Sequence, residues 1–194
     1  SSPASSPTPG NNAPVVGTVA NQTTNEDTAK AVTLSETDAD TGDSHTFSAT
    51  SSASQITIGV SGTTLTMTPD ANWNGTSTIT IKANDGTVDS ATKTFTLTVS
   101  AVNDAPTLAS ISTKTTNQSV KSTLTVAPSD IDGDSPTYSY TLTSSPANKV
   151  TGSVSGTTLT LAPLASYNGT ATLTLTVSDG ALTGNTSFNY VVTA

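Results

Sequence analysis

Two short acidic runs hold the spacing in this chain that reads as chemistry. Asp38-Ala39-Asp40-Thr41-Gly42-Asp43 and Asp130-Ile131-Asp132-Gly133-Asp134 each set three carboxylates at alternate or near-alternate positions around a glycine. Once the chain bends there, the three groups face one another and repel. A hard divalent cation removes that repulsion. Ca2+ takes about 6–8 oxygen ligands in flexible geometry, whereas Mg2+ demands a tighter octahedron and is the second choice. Softer metals want Cys or His, and the chain has no Cys and one His, His45, which reads as a solvent-side strand residue. The simpler alternative is a solvated acidic turn, since Asp and Gly are ordinary turn residues. An EF-hand is excluded: the twelfth position from Asp130 is Thr141 rather than Glu.

The elements that position these carboxylates are written twice. Asn11-Asn12-Ala13-Pro14 returns as Asn103-Asp104-Ala105-Pro106, and Ser61-Gly62-Thr63-Thr64-Leu65-Thr66 returns as Ser155-Gly156-Thr157-Thr158-Leu159-Thr160. Pro69, Asn74-Gly75 and Asp85-Gly86 return as Pro163, Asn168-Gly169 and Asp179-Gly180. A self-match at nearly constant spacing means tandem modules. The boundaries read as a Ser/Pro-rich segment at 1–10, repeat 1 at 11–102 and repeat 2 at 103–194, with Ala101-Val102-Asn103-Asp104 as a short linker. Within each copy apolar residues alternate, as in Ile79, Ile81, Ala83 and in Leu173, Leu175, Val177. Period two with one apolar face predicts strands packed on one side. Turn signals fall between the runs. About seven short strands per copy predict an all-β chain of two antiparallel Greek-key sandwiches.

Composition narrows the function classes. Charged residues are 10% of the chain, against roughly 25% in ordinary globular proteins; Ser and Thr fill the polar positions, and β-branched Thr suits a half-buried pleated surface. The net charge of −8 argues against nucleic-acid binding and against an anionic membrane surface, and favours cations as partners. With no Cys there are no disulfides and no thiolate metal sites. No apolar run reaches the roughly 20 residues of a membrane span. An acidic, cysteine-free, Thr/Ser-rich chain fits an extracellular bacterial protein. One His and no Cys leave few general bases or nucleophiles, so no enzymatic activity is expected.

The motifs, taken in order, resemble the cadherin-like tandem repeats of large bacterial surface adhesins. The resemblance rests on Asn25-Glu26-Asp27 after the first strand, the Asn103-Asp104-Ala105-Pro106 junction, the Asp-x-Asp loops, the terminal Asp-Gly and the Pro-x-x-x-Trp/Tyr-Asn-Gly stretches from Pro69 and Pro163. It covers residues 11–194. It implies Ca2+ between consecutive modules: Glu26 from the upstream module with Asp27 as a helper, Asn103 and Asp104 from the linker, and Asp130, Asp132, Asp134 and Asp179 from the downstream module. The family's upstream Asp/Glu pair from a second loop has no match here, which implies one or two ions rather than three. Asn12, Asp38, Asp40, Asp43 and Asp85 would form an N-terminal half-site. Repeat 2 carries Asn117-Gln118-Ser119 where repeat 1 carries Asn25-Glu26-Asp27, so a following junction would lack its Glu.

The expected function is then a calcium-rigidified extender of a cell-surface adhesin, with neighbouring like modules or subunits as partners and a self-assembling fibre as a variant. The alternative is a carbohydrate-binding accessory module of a secreted enzyme, with a surface glycan as partner and Trp73 as its platform. Trp73 and Tyr167, each just before an Asn-Gly turn, read instead as plugs at a sandwich corner.

Overall fold

The structure is a computed structural model that describes residues 10–40, 44–132 and 137–194. The chain separates into two compact units, Ser1–Val102 and Asn103–Ala194. Among the described residues every regular element is a strand. The Ser/Pro-rich segment 1–9, and with it the turns carrying Asp43 and Asp134, lies outside the described residues.

Unit 1 contains β1 (Val15–Val16), β2 (Gln22–Asn25), β3 (Lys30–Thr33), β4 (Glu36–Thr37), β5 (Thr46–Ser51), β6 (Ile56–Ser61), β7 (Thr64–Pro69), β8 (Gly75–Asn84) and β9 (Lys93–Ser100). They form a four-stranded sheet in the order β2-β9-β8-β5, a three-stranded sheet β3-β7-β6 and the small pair β1-β4. The β2–β9 pairing is parallel, with Gln22 beside Leu97 and Asn25 beside Ser100; the other pairings of the unit are antiparallel. Alternation decides the layers. Ile79, Ile81 and Ala83 of β8, Leu97 and Val99 of β9, and Leu65 and Met67 of β7 turn inward and share one core. Each Val, Leu, Ile or Met among them contributes about 1.5–3 kcal/mol on burial, while the intervening Thr residues stay nearer the surface.

Unit 2 repeats the plan with β10 (Thr107–Leu108), β11 (Lys114–Asn117), β12 (Ser122–Thr125), β13 (Pro128–Ser129), β14 (Ser139–Ser145), β15 (Val150–Ser155), β16 (Thr158–Pro163), β17 (Gly169–Ser178) and β18 (Thr183–Thr193). Its sheets run β11-β18-β17-β14, β12-β16-β15 and β10-β13, again with the first long strand, β11, parallel to the last. The cores differ by compensating changes. Buried Ser77 of β8 lies opposite Leu97, whereas unit 2 has Ala171 opposite Tyr190. Tyr190 is fully buried, and its hydroxyl is 2.6 Å from Ser122 Oγ, which removes the penalty of burying a phenol. Ser77 Oγ is 2.7 Å from Ser51 Oγ for the same reason.

Two kinds of glycine are required. Gly62 and Gly156 open the two-residue hairpins at φ 56° and 57°, a conformation that favours Gly. Gly184 in β18 has no such turn; a Cβ there would fall 1.8 Å from the Pro106 carbonyl oxygen, so the close passage of β10 over β18 depends on its lacking a side chain.

These registers give each unit two poles. The chain enters at the pole where β8 ends, near Asp85. It leaves at the opposite pole, where Gly75 begins β8 beside Val99.

Candidate metal centre

The entry pole of unit 1 is built around three carboxylates held by backbone. Leu34 is fully buried and anchors the chain before β4, so the next residues, Asp38 and Asp40, must turn at the sandwich end. Asp40 N–H donates to Asp38 Oδ1 at 3.0 Å, and Asn12 N–H donates to Asp40 Oδ2 at 2.6 Å. On the neighbouring loop, Asp85 Oδ1 accepts from the Thr87 and Val88 N–H groups, both at 2.7 Å, and Asp85 Oδ2 accepts from the Asn11 side-chain amide at 2.9 Å. The linker residues Asn11 and Asn12 thus tie the two acidic loops together.

Unit 2 reproduces this network. Asp132 N–H donates to Asp130 Oδ1 at 3.3 Å, and Asp104 N–H donates to Asp132 Oδ2 at 2.8 Å. Asp179 Oδ1 accepts from Ala181 and Leu182 N–H at 2.6 and 2.7 Å, and Asp179 Oδ2 accepts from the Asn103 amide at 3.0 Å. Five linker and loop residues therefore take corresponding places in both units. Of these, Asp104 is a carboxylate where unit 1 has the amide Asn12.

Hydrogen bonds to the ionised form hold several of these carboxyls below the ordinary carboxylate range. For Asp85 the leading cause is the Val88 N–H, followed by the Asn11 amide. For Asp179 it is the Asn103 amide, then Leu182 and Ala181 N–H. For Asp38 it is the Asp40 N–H, aided by His45. These acids are kept charged and in place, which is what a hard cation requires of its ligands.

His45 departs from the solvent-side place expected of it. Its side chain is 19% exposed, with Nδ1 3.2 Å from Glu36 Oε1 and Nε2 3.2 Å from Asp38 Oδ2. The reason is local: Glu36 in β4 and Asp38 just after it lie beside the residue that leads into β5. The Asp38 side chain is itself only 3% exposed. Sequence reading missed Glu36 and His45 because neither has a like residue in the second copy. It also left Asn11 out of the half-site, although Asn11 matches Asn103 in the repeated junction and so carried the signal.

At the exit pole of unit 1, Glu26 is 4% exposed and accepts the Val102 N–H through Oε1. Asp27 sits at φ 58° and accepts the Asn72 N–H at 2.9 Å through Oδ1, so it joins two loops of its own unit. Trp73 packs against the unit 1 core, and a Cβ on Gly75 would meet its ring at 3.0 Å. Tyr167 packs against the core of unit 2 in the matching place.

The profile of the bacterial Ig domain matches residues 11–98 and again residues 103–193. The chain belongs to the bacterial Ig domain family. No curated protein sequence matches it. Among solved structures, this pair of bacterial Ig units is similar in fold to human protocadherin-24 EC1-2, with a TM-score of 0.58 at 16% identity over 95% of this chain and all of that one. An endo-fucoidan hydrolase from glycoside hydrolase family 107 also matches, with a TM-score of 0.40 at 22% identity; all of this chain aligns to 30% of that one. The titin domains z1z2 in complex with telethonin match with a TM-score of 0.39 at 16% identity over 94% of this chain and 98% of that one. The fold class is thus that of tandem Ig- and cadherin-like β-sandwiches, as the sequence predicts.

Proposed function

We propose that this chain is a non-enzymatic, extracellular extender segment of a bacterial surface adhesin, made rigid by Ca2+ bound where one module follows another. The observation that carries the reading is the entry-pole network, present twice with the same partners: an Asx amide on the late Asp, and a backbone N–H on the second Asp of the Asp-x-Asp loop. The donors are carboxylates and amides, hard oxygen ligands of the kind Ca2+ takes. Glu26, hydrogen-bonded to Val102, is joined through one peptide bond to Asn103 and Asp104. In this proposal Glu26 with Asp27, Asn103, Asp104, Asp130, Asp132, Asp134 and Asp179 hold the shared ion, which screens the mutual repulsion of the acids. Asn12, Asp38, Asp40, Asp43 and Asp85 hold a second ion when another module precedes them.

Extracellular calcium modules bind with Kd on the order of 10⁻⁴–10⁻³ M. The ligated state gains about 2.7 kcal/mol at a hundredfold excess over Kd, so the linker stiffens where calcium is millimolar. Calorimetric titration of the full chain with CaCl2 should give saturable binding in that range, and a chelator should broaden the interdomain distances measured by small-angle scattering. Heats equal to dilution and superimposable scattering profiles would rule the proposal out. The packing of Trp73 against the core weighs for this reading over a carbohydrate platform at that residue.

A further inference from the structure

Unit 2 contains a hollow of about 420 Å³ lined by Ala127, Pro128, Tyr138, Tyr140, Val154 and the Gly156-Thr157 turn, a size within the range of ligand pockets. Tyr138, just before β14, and Tyr140, its second residue, both line the hollow. Burial raises the Tyr140 phenol above its ordinary pKa.

The equivalent wall of unit 1 has another chemistry. Register fixes the correspondence: Val16 pairs with Glu36 as Leu108 pairs with Pro128, and Phe47 pairs with Ala83 as Tyr140 pairs with Val177. Glu36 and His45 therefore stand where unit 2 has Pro128 and Tyr138, and His45 Nδ1 lies 3.2 Å from Glu36 Oε1 there. The first wall carries a carboxylate and an imidazole; the other has two tyrosines and a proline and is concave.

Aromatic-lined grooves take proline-rich segments, because a polyproline helix is preformed and exposes both rings and unpaired carbonyls. This chain has such a segment. Residues 1–10 read SSPASSPTPG, with Pro3, Pro7 and Pro9 and no charged side chain.

We propose that segment 1–10 of one copy docks in the unit 2 hollow of a second copy. Its prolines stack on Tyr138 and Tyr140, and the Tyr140 phenol donates to one of its carbonyls. Such a contact joins different surfaces on the two partners, so it propagates into a filament unless it closes on itself. The inference deepens the assembly part of the function proposed above, but it needs no calcium, so its test is run with chelator present.

The test is sedimentation velocity of the full chain in EDTA over a concentration series. It is paired with amide chemical-shift mapping of a synthetic SSPASSPTPG peptide on the same protein. Association should grow with concentration and fall at least tenfold in a Pro3→Ser, Pro7→Ser, Pro9→Ser variant. Tyr138→Ala should have the same effect, and the peptide should shift the amides of Tyr140, Val154 and Gly156. Wild-type association by the triple variant would overturn the proposal. So would peptide-induced shifts confined to other residues, or a tail contact independent of concentration. Saturable binding of a polysaccharide in place of the peptide would assign the hollow to a glycan and overturn it as well. Calcium-free chain that stays monomeric while calcium still binds would sink this proposal and leave the junction reading standing.

Discussion

The exit poles of the two units share a backbone and differ in chemistry. Glu26 N–H donates to Ser100 O at 2.9 Å, and Gln118 N–H donates to Thr193 O at 2.8 Å. Asp70 N–H reaches Gln55 O at 2.7 Å, and Leu164 N–H reaches Lys149 O at 2.8 Å. Asp27 and Ser119 take left-handed φ values of 58° and 64°. On this common scaffold unit 1 carries Glu26, Asp27, Thr28 and Asp70, and unit 2 carries Gln118, Ser119, Val120 and Leu164. Val120 and Leu164 are each 50% exposed. The same backbone hydrogen bonds recur at this pole in both units, while its side chains differ: Glu26 and Asp27 each accept a backbone N–H of their own unit. Under the proposed function, this difference makes the exit pole of unit 1 able to contribute to a Ca2+ site and that of unit 2 unable to.

Exchanging one residue tests this most sharply. Glu26→Gln, which gives unit 1 the side chain of unit 2, should weaken calcium binding by a factor on the order of 10–100, since affinity follows the count of charged ligands. Gln118→Glu alone should leave the calorimetric titration unchanged. Equal effects of the two variants would erase the distinction between the poles. Asp27→Ala should destabilise unit 1 by about 1–2 kcal/mol in urea unfolding, because it removes the bond to Asn72 and leaves a non-glycine residue in the left-handed region. Ser119→Gly should stay within about 1 kcal/mol of the parent, because relief of the left-handed backbone is offset by a more flexible unfolded chain and by loss of the Ser119 Oγ bond to Ala165 O. Leu164→Asp, half exposed, should stay within about 0.5 kcal/mol of the parent; a larger loss would mean that Leu164 is packed rather than free.

The entry poles add a pH test with a definite sign. Asp38, Asp85 and Asp179 have folded pKa values below the ordinary one. The stability they add is complete above the unfolded carboxylate pKa, near 3.9, and is lost as pH falls through the depressed folded values. Thermal melting followed from pH 6 downward should therefore hold level and then drop below about pH 4. In an Asp85→Asn variant the acid-dependent part for unit 1 should shrink. A drop already complete at pH 5 would contradict the depressed values.

Much of the fold was legible because alternation of Thr with Ile, Leu and Val has one reading in a sheet, and because the chain states it twice. The half-sites were legible for the same reason: Asp38, Asp40 and Asp85 recur as Asp130, Asp132 and Asp179. Repetition hid what is not repeated. His45 lacks a like partner in the second copy, so its bracketing by Glu36 and Asp38 required the fold to bring β4 and the start of β5 together. The hollow at Tyr138 and Tyr140 was equally silent, since it arises where Pro128 replaces Glu36 across a strand pair. Gly184 shows a third limit: its necessity lies in Pro106, 78 residues earlier in sequence, and no local pattern announces it. Asp27 was named for its charge, yet its contact with Asn72 gives it a structural task as well.

The parallel pairing of β2 with β9, and of β11 with β18, has a mechanical consequence. Tension applied across one unit pulls Gln22 back toward the entry and Ser100 forward toward the exit, along neighbouring strands. The ladder between them is then strained lengthwise, and its hydrogen bonds share the force instead of unzipping one after another. Rupture under load is set by an unfolding rate rather than by equilibrium stability, so resistance to stretching in each sandwich depends on this clamp more than on the size of its core.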